Sequence, residues 1–87
     1  MSLQFSLYTR SRCGLCDLLH EDLLSLCRGR DVQVVSIDID RDPALVQRYG
    51  LRVPVLVCEG RVICEGRLDR EAVRAVLDRA AGRAEVN

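Results

Sequence analysis

The pattern of apolar and polar residues predicts four strands and three helices in this 87-residue chain. Strands are predicted where apolar residues alternate with polar ones or form a short run rich in β-branched residues, at residues 3–8, 32–39, 53–58 and 61–65. Helices are predicted where apolar residues recur at three- and four-residue steps, at residues 13–28, 43–49 and 70–81. The expected order of elements is therefore β-α-β-α-β-β-α.

Capping residues mark the predicted helix starts. Asp42 is a suitable N-cap for the second helix, because Pro43 is tolerated in a first helical turn, and Asp69 is a suitable N-cap for the third. The inner face of the first helix is expected to consist of five of its six leucines, Leu15, Leu18, Leu19, Leu23 and Leu26. The buried stripe of the third helix is expected to consist of Ala72, Val73, Val76, Leu77 and Ala80.

The last two strands are separated only by Glu59 and Gly60, which predicts a tight hairpin. With Cys58 opposite Arg61, this register places Leu56 opposite Ile63 on one face of the sheet. The other face then carries Val55, Val57, Val62 and Cys64. Because both faces are apolar, we expect the hairpin to lie between helices.

This element order predicts an α/β fold. The strand-helix-strand opening predicts a parallel pair joined by a right-handed crossover, and the hairpin adds two antiparallel strands. The result is a four-stranded mixed sheet with helices on both faces, in one domain over residues 1–87. Residues 82–87 are expected to form a flexible tail.

Composition and charge narrow the class of protein. The 13 basic residues, all arginine, balance 13 acidic residues, so the net charge favours neither nucleic acid nor a membrane surface as partner. The N-terminus lacks the basic region of a signal peptide, and no apolar run approaches the roughly 20 residues of a membrane span. We therefore expect the protein to lie in a reducing cytoplasm. We also expect it to be a monomer. An odd count of five cysteines also argues against a secreted disulfide scaffold.

Two of the cysteines form a Cys-x-x-Cys motif, Cys13 to Cys16, at the predicted junction of the first strand and first helix. The N–H groups at a helix N-terminus stabilise a thiolate at the first cysteine, and the neighbouring Arg10 and Arg12 add positive charge. Such a pair supports thiol–disulfide exchange, in which Cys13 attacks a disulfide and Cys16 resolves the mixed disulfide. Arg10 and Arg12 as solvated loop charges are the alternative.

Other interpretations of the five cysteines and of the nearby His20 remain possible from the sequence. The alternative for Cys13 and Cys16 is half of a structural zinc site, but two further ligands at suitable spacing are not obvious in the sequence. The remaining three cysteines are expected to be small buried residues, with a regulatory thiol as the alternative, at Cys27, Cys58 and Cys64. We expect His20 to lie on the helix surface, although its position one turn after Cys16 also suits a proton shuttle.

The motif, its position and the Val53-Pro54 dipeptide together resemble the thioredoxin-fold superfamily, and most closely a glutaredoxin-like protein. This resemblance implies that Arg10 helps to hold a glutathione carboxylate. It also implies that Pro54 is a cis-proline and that the backbone of Val53 pairs with a substrate peptide. Gly66 follows the hairpin where glutaredoxins carry a Gly-Gly pair, and with Arg12 it completes the expected substrate-binding set.

The expected function is thiol–disulfide oxidoreduction in cell redox homeostasis, through Cys13 and Cys16. The expected partners are a disulfide-containing protein or glutathione, with glutathione or a thioredoxin-type reductase as electron donor and no tightly bound cofactor or metal. The motif has neither the proline nor the aromatic residue usual in glutaredoxins, which leaves the donor open. The alternative is a non-catalytic thioredoxin-fold binding or assembly module, either with an inert cysteine pair or with a bound metal or iron–sulfur cluster.

Overall fold

The computed structural model describes residues 3–85, with side chains described to residue 82. Its strands are β1 (Leu3–Thr9), β2 (Val32–Asp38), β3 (Val55–Cys58) and β4 (Arg61–Glu65). Its helices are α1 (Gly14–Cys27), α2 (Pro43–Tyr49) and α3 (Arg70–Glu85), and a 3₁₀ turn (Ile39–Arg41) precedes α2. The predicted element order and fold class are confirmed.

The sheet has the strand order β2-β1-β3-β4. β1 and β2 are parallel, as the crossover through α1 predicts, while β3 is antiparallel to both β1 and β4. Alternate residues of β1 point to opposite faces, so Leu7 packs in a core shared with α1 and α3, and Tyr8 packs in a core shared with α2. Helices therefore cover both faces of this four-stranded mixed sheet.

The predicted caps are present. The Asp42 carboxylate accepts a hydrogen bond from the Ala44 N–H (2.9 Å), and the Asp69 carboxylate accepts one from the Ala72 N–H (3.0 Å). α3 continues beyond its predicted end to Glu85, so the expected tail is helical over residues 82–85. Alanine-rich sequence without proline favours this continuation. Residues 86 and 87 of the expected tail lie outside the described residues.

The hairpin register differs from the prediction. Cys58 lies opposite Arg61 as expected, but a β-bulge then places Leu56 opposite Cys64, not opposite Ile63. The extra residue turns Cys64 to the face that carries Cys58, so the predicted placement of these two cysteines on opposite faces is wrong. Both Ile63 and Cys64 contact the core beneath α1 and α3.

The inner face of α1 also differs in part. Leu19 and Leu23 are buried as predicted, and Leu26 packs at the edge of the core. Leu15 and Leu18, however, are 49% and 55% exposed. Two cysteines occupy the buried stripe in their place, Cys16 and Cys27. In a leucine-rich helix the sequence does not reveal which neighbouring stripe packs against the sheet.

Among the helices formed by residues 3–85, none combines the length and the apolar character needed to cross a membrane.

Candidate functional site

The predicted chemical groups converge at one end of the sheet. The C-terminal end of β1 lies beside the start of β3, with Tyr8 opposite Val55, and Val55 in turn lies opposite Glu65 at the end of β4. The Gly66 N–H donates a hydrogen bond to the Pro54 carbonyl (2.8 Å). The loop that leads to the Cys-x-x-Cys motif, the Val53–Pro54 segment and Gly66 are therefore at the same sheet end.

Cys13 and Cys16 form a disulfide, with their Cα atoms 5.2 Å apart. Cys13 is the N-cap of α1, and its Sγ accepts a hydrogen bond from the Cys16 N–H (3.1 Å). Cys13 is half-buried, whereas Cys16 is only 2% exposed. An incoming molecule can thus reach Cys13 more readily than Cys16. The N–H of Cys16 is placed to stabilise negative charge on the Cys13 sulfur.

Arg10 makes its contacts away from the disulfide. Its Nε and Nη2 donate to the Asp40 Oδ1 (3.1 and 2.7 Å), and its Nη1 donates to the Gly50 carbonyl (3.2 Å). The guanidinium therefore ties the loop after β1 to the 3₁₀ turn and to the end of α2. Binding of a glutathione carboxylate by Arg10, implied by the family resemblance, stays a prediction. The sequence pattern did not reveal Asp40 as its partner.

Arg12 precedes the disulfide and has a left-handed backbone conformation (φ 57°). Its side chain is exposed and forms no hydrogen bond or ion pair with the residues that the structure describes. Of the two arginines before Cys13, Arg12 is therefore the one whose charge is not already neutralised by a carboxylate. Its contribution to substrate binding also stays a prediction.

The Val53–Pro54 peptide bond is cis, as the family resemblance implies, and Pro54 is buried. The Val53 N–H donates a hydrogen bond to the Tyr49 carbonyl (3.1 Å). The sequence-based expectation is a backbone open to a substrate, but this N–H is already used within the chain. The Val53 carbonyl accepts no backbone hydrogen bond from residues 3–85. Pairing of a substrate with Val53 stays a prediction and would use that carbonyl.

Two further arginines near the site, Arg52 and Arg67, differ in whether a carboxylate pairs with them. Arg52 donates through Nε and Nη2 to the Glu65 Oε2 (3.0 and 2.7 Å), and its guanidinium lies 5.4 Å from the Tyr49 ring centroid. The hydrogen bond from Arg52 to Glu65 raises the pKa of that guanidinium. Arg67, which follows Gly66, is exposed and has no side-chain hydrogen bond or ion pair with residues 3–82, whose side chains the structure describes. Of these two, only Arg67 presents an uncompensated charge beside the site.

The other three cysteines form no disulfide: Cys27 and Cys58 are buried and Cys64 is half-buried. Burial raises the pKa of the Cys27 and Cys64 thiols. The burial of these cysteines and the raised pKa of the Cys27 and Cys64 thiols agree with the prediction that they are small packing residues. His20 is half-buried on α1. Among the described residues, no three His, Cys, Asp or Glu side chains form a group that could hold a metal ion.

The fold and this site define the class of protein: a parallel β-α-β opening, an antiparallel hairpin, a cis-proline and a disulfide at the start of α1 form a thioredoxin fold. Three solved structures agree. A protein from X. campestris is 39% identical, with a TM-score of 0.65 over 86% of this chain and 96% of its own. A protein from Nitrosomonas europaea is 30% identical, with a TM-score of 0.78 over 86% and 91%. A variant thioredoxin from Halobacterium salinarum is 29% identical, with a TM-score of 0.62 over 88% and 73%.

The family follows from the sequence of the whole domain. The profile of the glutaredoxin-like domain family (DUF836) matches residues 4–78. The chain belongs to this family.

Proposed function

We propose that the protein is a thiol–disulfide oxidoreductase that reduces substrate disulfides through Cys13 and Cys16. The observation that carries this proposal is the asymmetry of the pair. Cys13 is half-buried at the start of α1 and its Sγ accepts a hydrogen bond from the Cys16 N–H, while Cys16 is only 2% exposed. The first cysteine suits attack on an external disulfide, and the second is protected from it.

The reaction begins from the reduced pair. The Cys13 thiolate attacks one sulfur of the substrate disulfide, so that a Cys13–substrate bond forms while the substrate S–S bond breaks, and the departing sulfur takes up a proton. Cys16 then loses its proton and attacks the Cys13 sulfur. The Cys13–Cys16 disulfide forms, and the second substrate sulfur leaves and is protonated. The substrate gains two electrons and two protons: the cysteine pair supplies both electrons and the Cys16 proton, and the second proton comes from the solvent.

Turnover requires a thiol donor that reduces the Cys13–Cys16 disulfide again. Glutathione and a thioredoxin-type reductase are the two donors that fit a family of this kind, and we place the reaction in redox homeostasis of the cytoplasm. A single-turnover assay leaves the donor out: pre-reduced protein alone is mixed with a small disulfide. Separate assays with glutathione, or with a reductase and its cofactor, then identify the donor.

The proposal is tested with matched serine variants. Cys13→Ser is expected to reduce the rate of the single-turnover reaction to background, because it removes the attacking sulfur. Cys64→Ser serves as the control, since its thiol is half-buried and lies outside the site, and it is expected to retain the wild-type rate. Full activity in Cys13→Ser would contradict the proposal. Stoichiometric zinc or iron held by Cys13 and Cys16 in the purified protein would instead support a metal-binding module.

A further inference from the structure

A groove of about 320 Å³ lies between α1 and the segment that follows β4. Leu15, Leu18 and Leu19 line it from α1, and Gly66 and Arg67 line it from the opposite segment. Leu15 stands between the two cysteines of the motif, and Gly66 holds the carbonyl of the cis-proline. The groove therefore adjoins the Cys-x-x-Cys motif through Leu15 and the cis-proline segment through Gly66, although neither cysteine lines it.

The α1 side of the groove is apolar and open to solvent. Leu15 and Leu18 are 49% and 55% exposed, and they lie three residues apart on one side of the helix. Both contribute to the same groove as the buried Leu19. A ligand that covers these leucines would remove apolar surface from water, which favours an aliphatic side chain as the occupant.

The opposite side of the groove carries an excess of positive charge. Arg67 has no side-chain ion pair or hydrogen bond within residues 3–82, the part of the chain with described side chains. Arg70 lies 3.6 Å from Asp22, and these two residues also line the groove. Two arginines thus face one aspartate, and a ligand that brings a carboxylate to Arg67 would restore the balance.

We infer that this groove binds the polypeptide segment next to the substrate cysteine, with an aliphatic side chain over Leu15 and Leu18 and a carboxylate at Arg67. The inference rests on the proposed function and names its substrate class: protein disulfides whose flanking sequence is both aliphatic and acidic. A polypeptide fits better than glutathione, because glutathione has carboxylates but no aliphatic side chain large enough to cover two leucines.

Peptide disulfides that differ only beside the cysteine test this inference. The three peptides carry Leu and Asp, Ser and Asp, or Leu and Lys at the flanking positions, and each is attached through the cysteine to the same small leaving thiol. The readout is kcat/KM for each peptide divided by kcat/KM for a small disulfide without flanking residues. This ratio separates groove binding from the reactivity of Cys13.

Two variants and two matched controls complete the test. Leu18→Ser is compared with Leu24→Ser, whose side chain is 49% exposed on α1 but does not line the groove. Arg67→Glu is compared with Arg28→Glu, which makes the same charge change at the other end of α1. We expect Leu18→Ser to lower the ratio for the Leu-Asp peptide about five-fold. We expect Arg67→Glu to lower it on the order of ten-fold and to favour the Leu-Lys peptide.

The outcomes separate the inference from the proposed function. Equal ratios for the three peptides in the wild type, or equal effects of the groove and control variants, would overturn the inference while the reduction itself persists. Sensitivity of glutathione disulfide, but of none of the peptides, to Arg67→Glu would assign the groove to glutathione and also overturn it. Absence of any Cys13-dependent reduction, even of the small disulfide, would remove the proposed function.

Discussion

The guanidinium of Arg10 links the loop after β1 to the 3₁₀ turn and to the end of α2. Its removal should therefore destabilise the fold. Arg10→Met keeps the length of the side chain but removes the charge and the donors. It breaks two hydrogen bonds to Asp40 and one to the Gly50 carbonyl. The pair of Arg10 with Asp40 is 37% and 41% exposed, so its contribution lies in the range of about 0.2–1 kcal/mol.

The bond to Gly50 adds to this value. A hydrogen bond of this kind contributes about 0.5–1.5 kcal/mol net. We therefore expect Arg10→Met to lower the free energy of unfolding by about 1–2 kcal/mol. The assay is urea denaturation of the wild type, Arg10→Met, Asp40→Asn and the double variant. The coupling energy from this cycle should be about 0.5 kcal/mol and should decrease at high salt.

The same variants decide between two roles for Arg10. If Arg10 mainly ties together the loop and α2, the free energy of unfolding falls, and the KM for glutathione changes no more in Arg10→Met than in Asp40→Asn. An unchanged free energy of unfolding, together with a KM for glutathione raised only in Arg10→Met, would refute this reasoning. It would support the carboxylate-binding role that the family resemblance implies.

Three further predictions concern stability. Leu23→Ala should lower the free energy of unfolding by about 2–5 kcal/mol in urea denaturation because Leu23 is fully buried. Leu24→Ala, at a 49% exposed position, should cost far less, and equal costs would contradict the assigned packing of α1. Gly50→Ala should cost about 1–3 kcal/mol by the same method, because its Cβ would lie 2.5 Å from the Val46 carbonyl oxygen, and an unchanged midpoint would exclude this close approach. Burial raises the pKa of the Cys27 and Cys64 thiols above the ordinary 9.0, so the unfolded chain ionises first and stability should fall as the pH rises above 9.0. Cys64→Ala should show a weaker fall in denaturation at several pH values, and an identical pH dependence would contradict the assignment.

Local signals allowed most of the fold to be predicted from the sequence. The caps Asp42 and Asp69 and the short Glu59-Gly60 turn act within a few residues of the elements that they define. The hairpin register was less accessible, because a bulge opposite the Leu56–Val57 step adds one residue, Ile63, to β4, and both faces of the hairpin are apolar. A shift by one residue then changes the face of Cys64 without any change in composition.

In the candidate site, too, the local features could be predicted from the sequence, whereas the contacts between distant segments could not. Cys13 and Cys16 are close in sequence, and the position of the motif at a predicted helix start indicated their chemistry. The contact of Arg10 with Asp40 spans 30 residues, and no local pattern encodes it. The groove likewise depends on α1 meeting the segment after β4. Its apolar side arises because Leu15 and Leu18 lie outside the packed stripe of the helix.

The central claim, that Cys13 is the attacking thiol and Cys16 the resolving thiol, is tested most directly by trapping the mixed disulfide. Pre-reduced Cys16→Ser protein is incubated with a peptide disulfide, and the product is digested without reductant and analysed by mass spectrometry. We predict a stable bond between the peptide and Cys13, whereas the wild type releases both substrate thiols and forms the Cys13–Cys16 disulfide. A peptide attached to Cys64 or Cys27, or no stable adduct with Cys16→Ser, would contradict the claim.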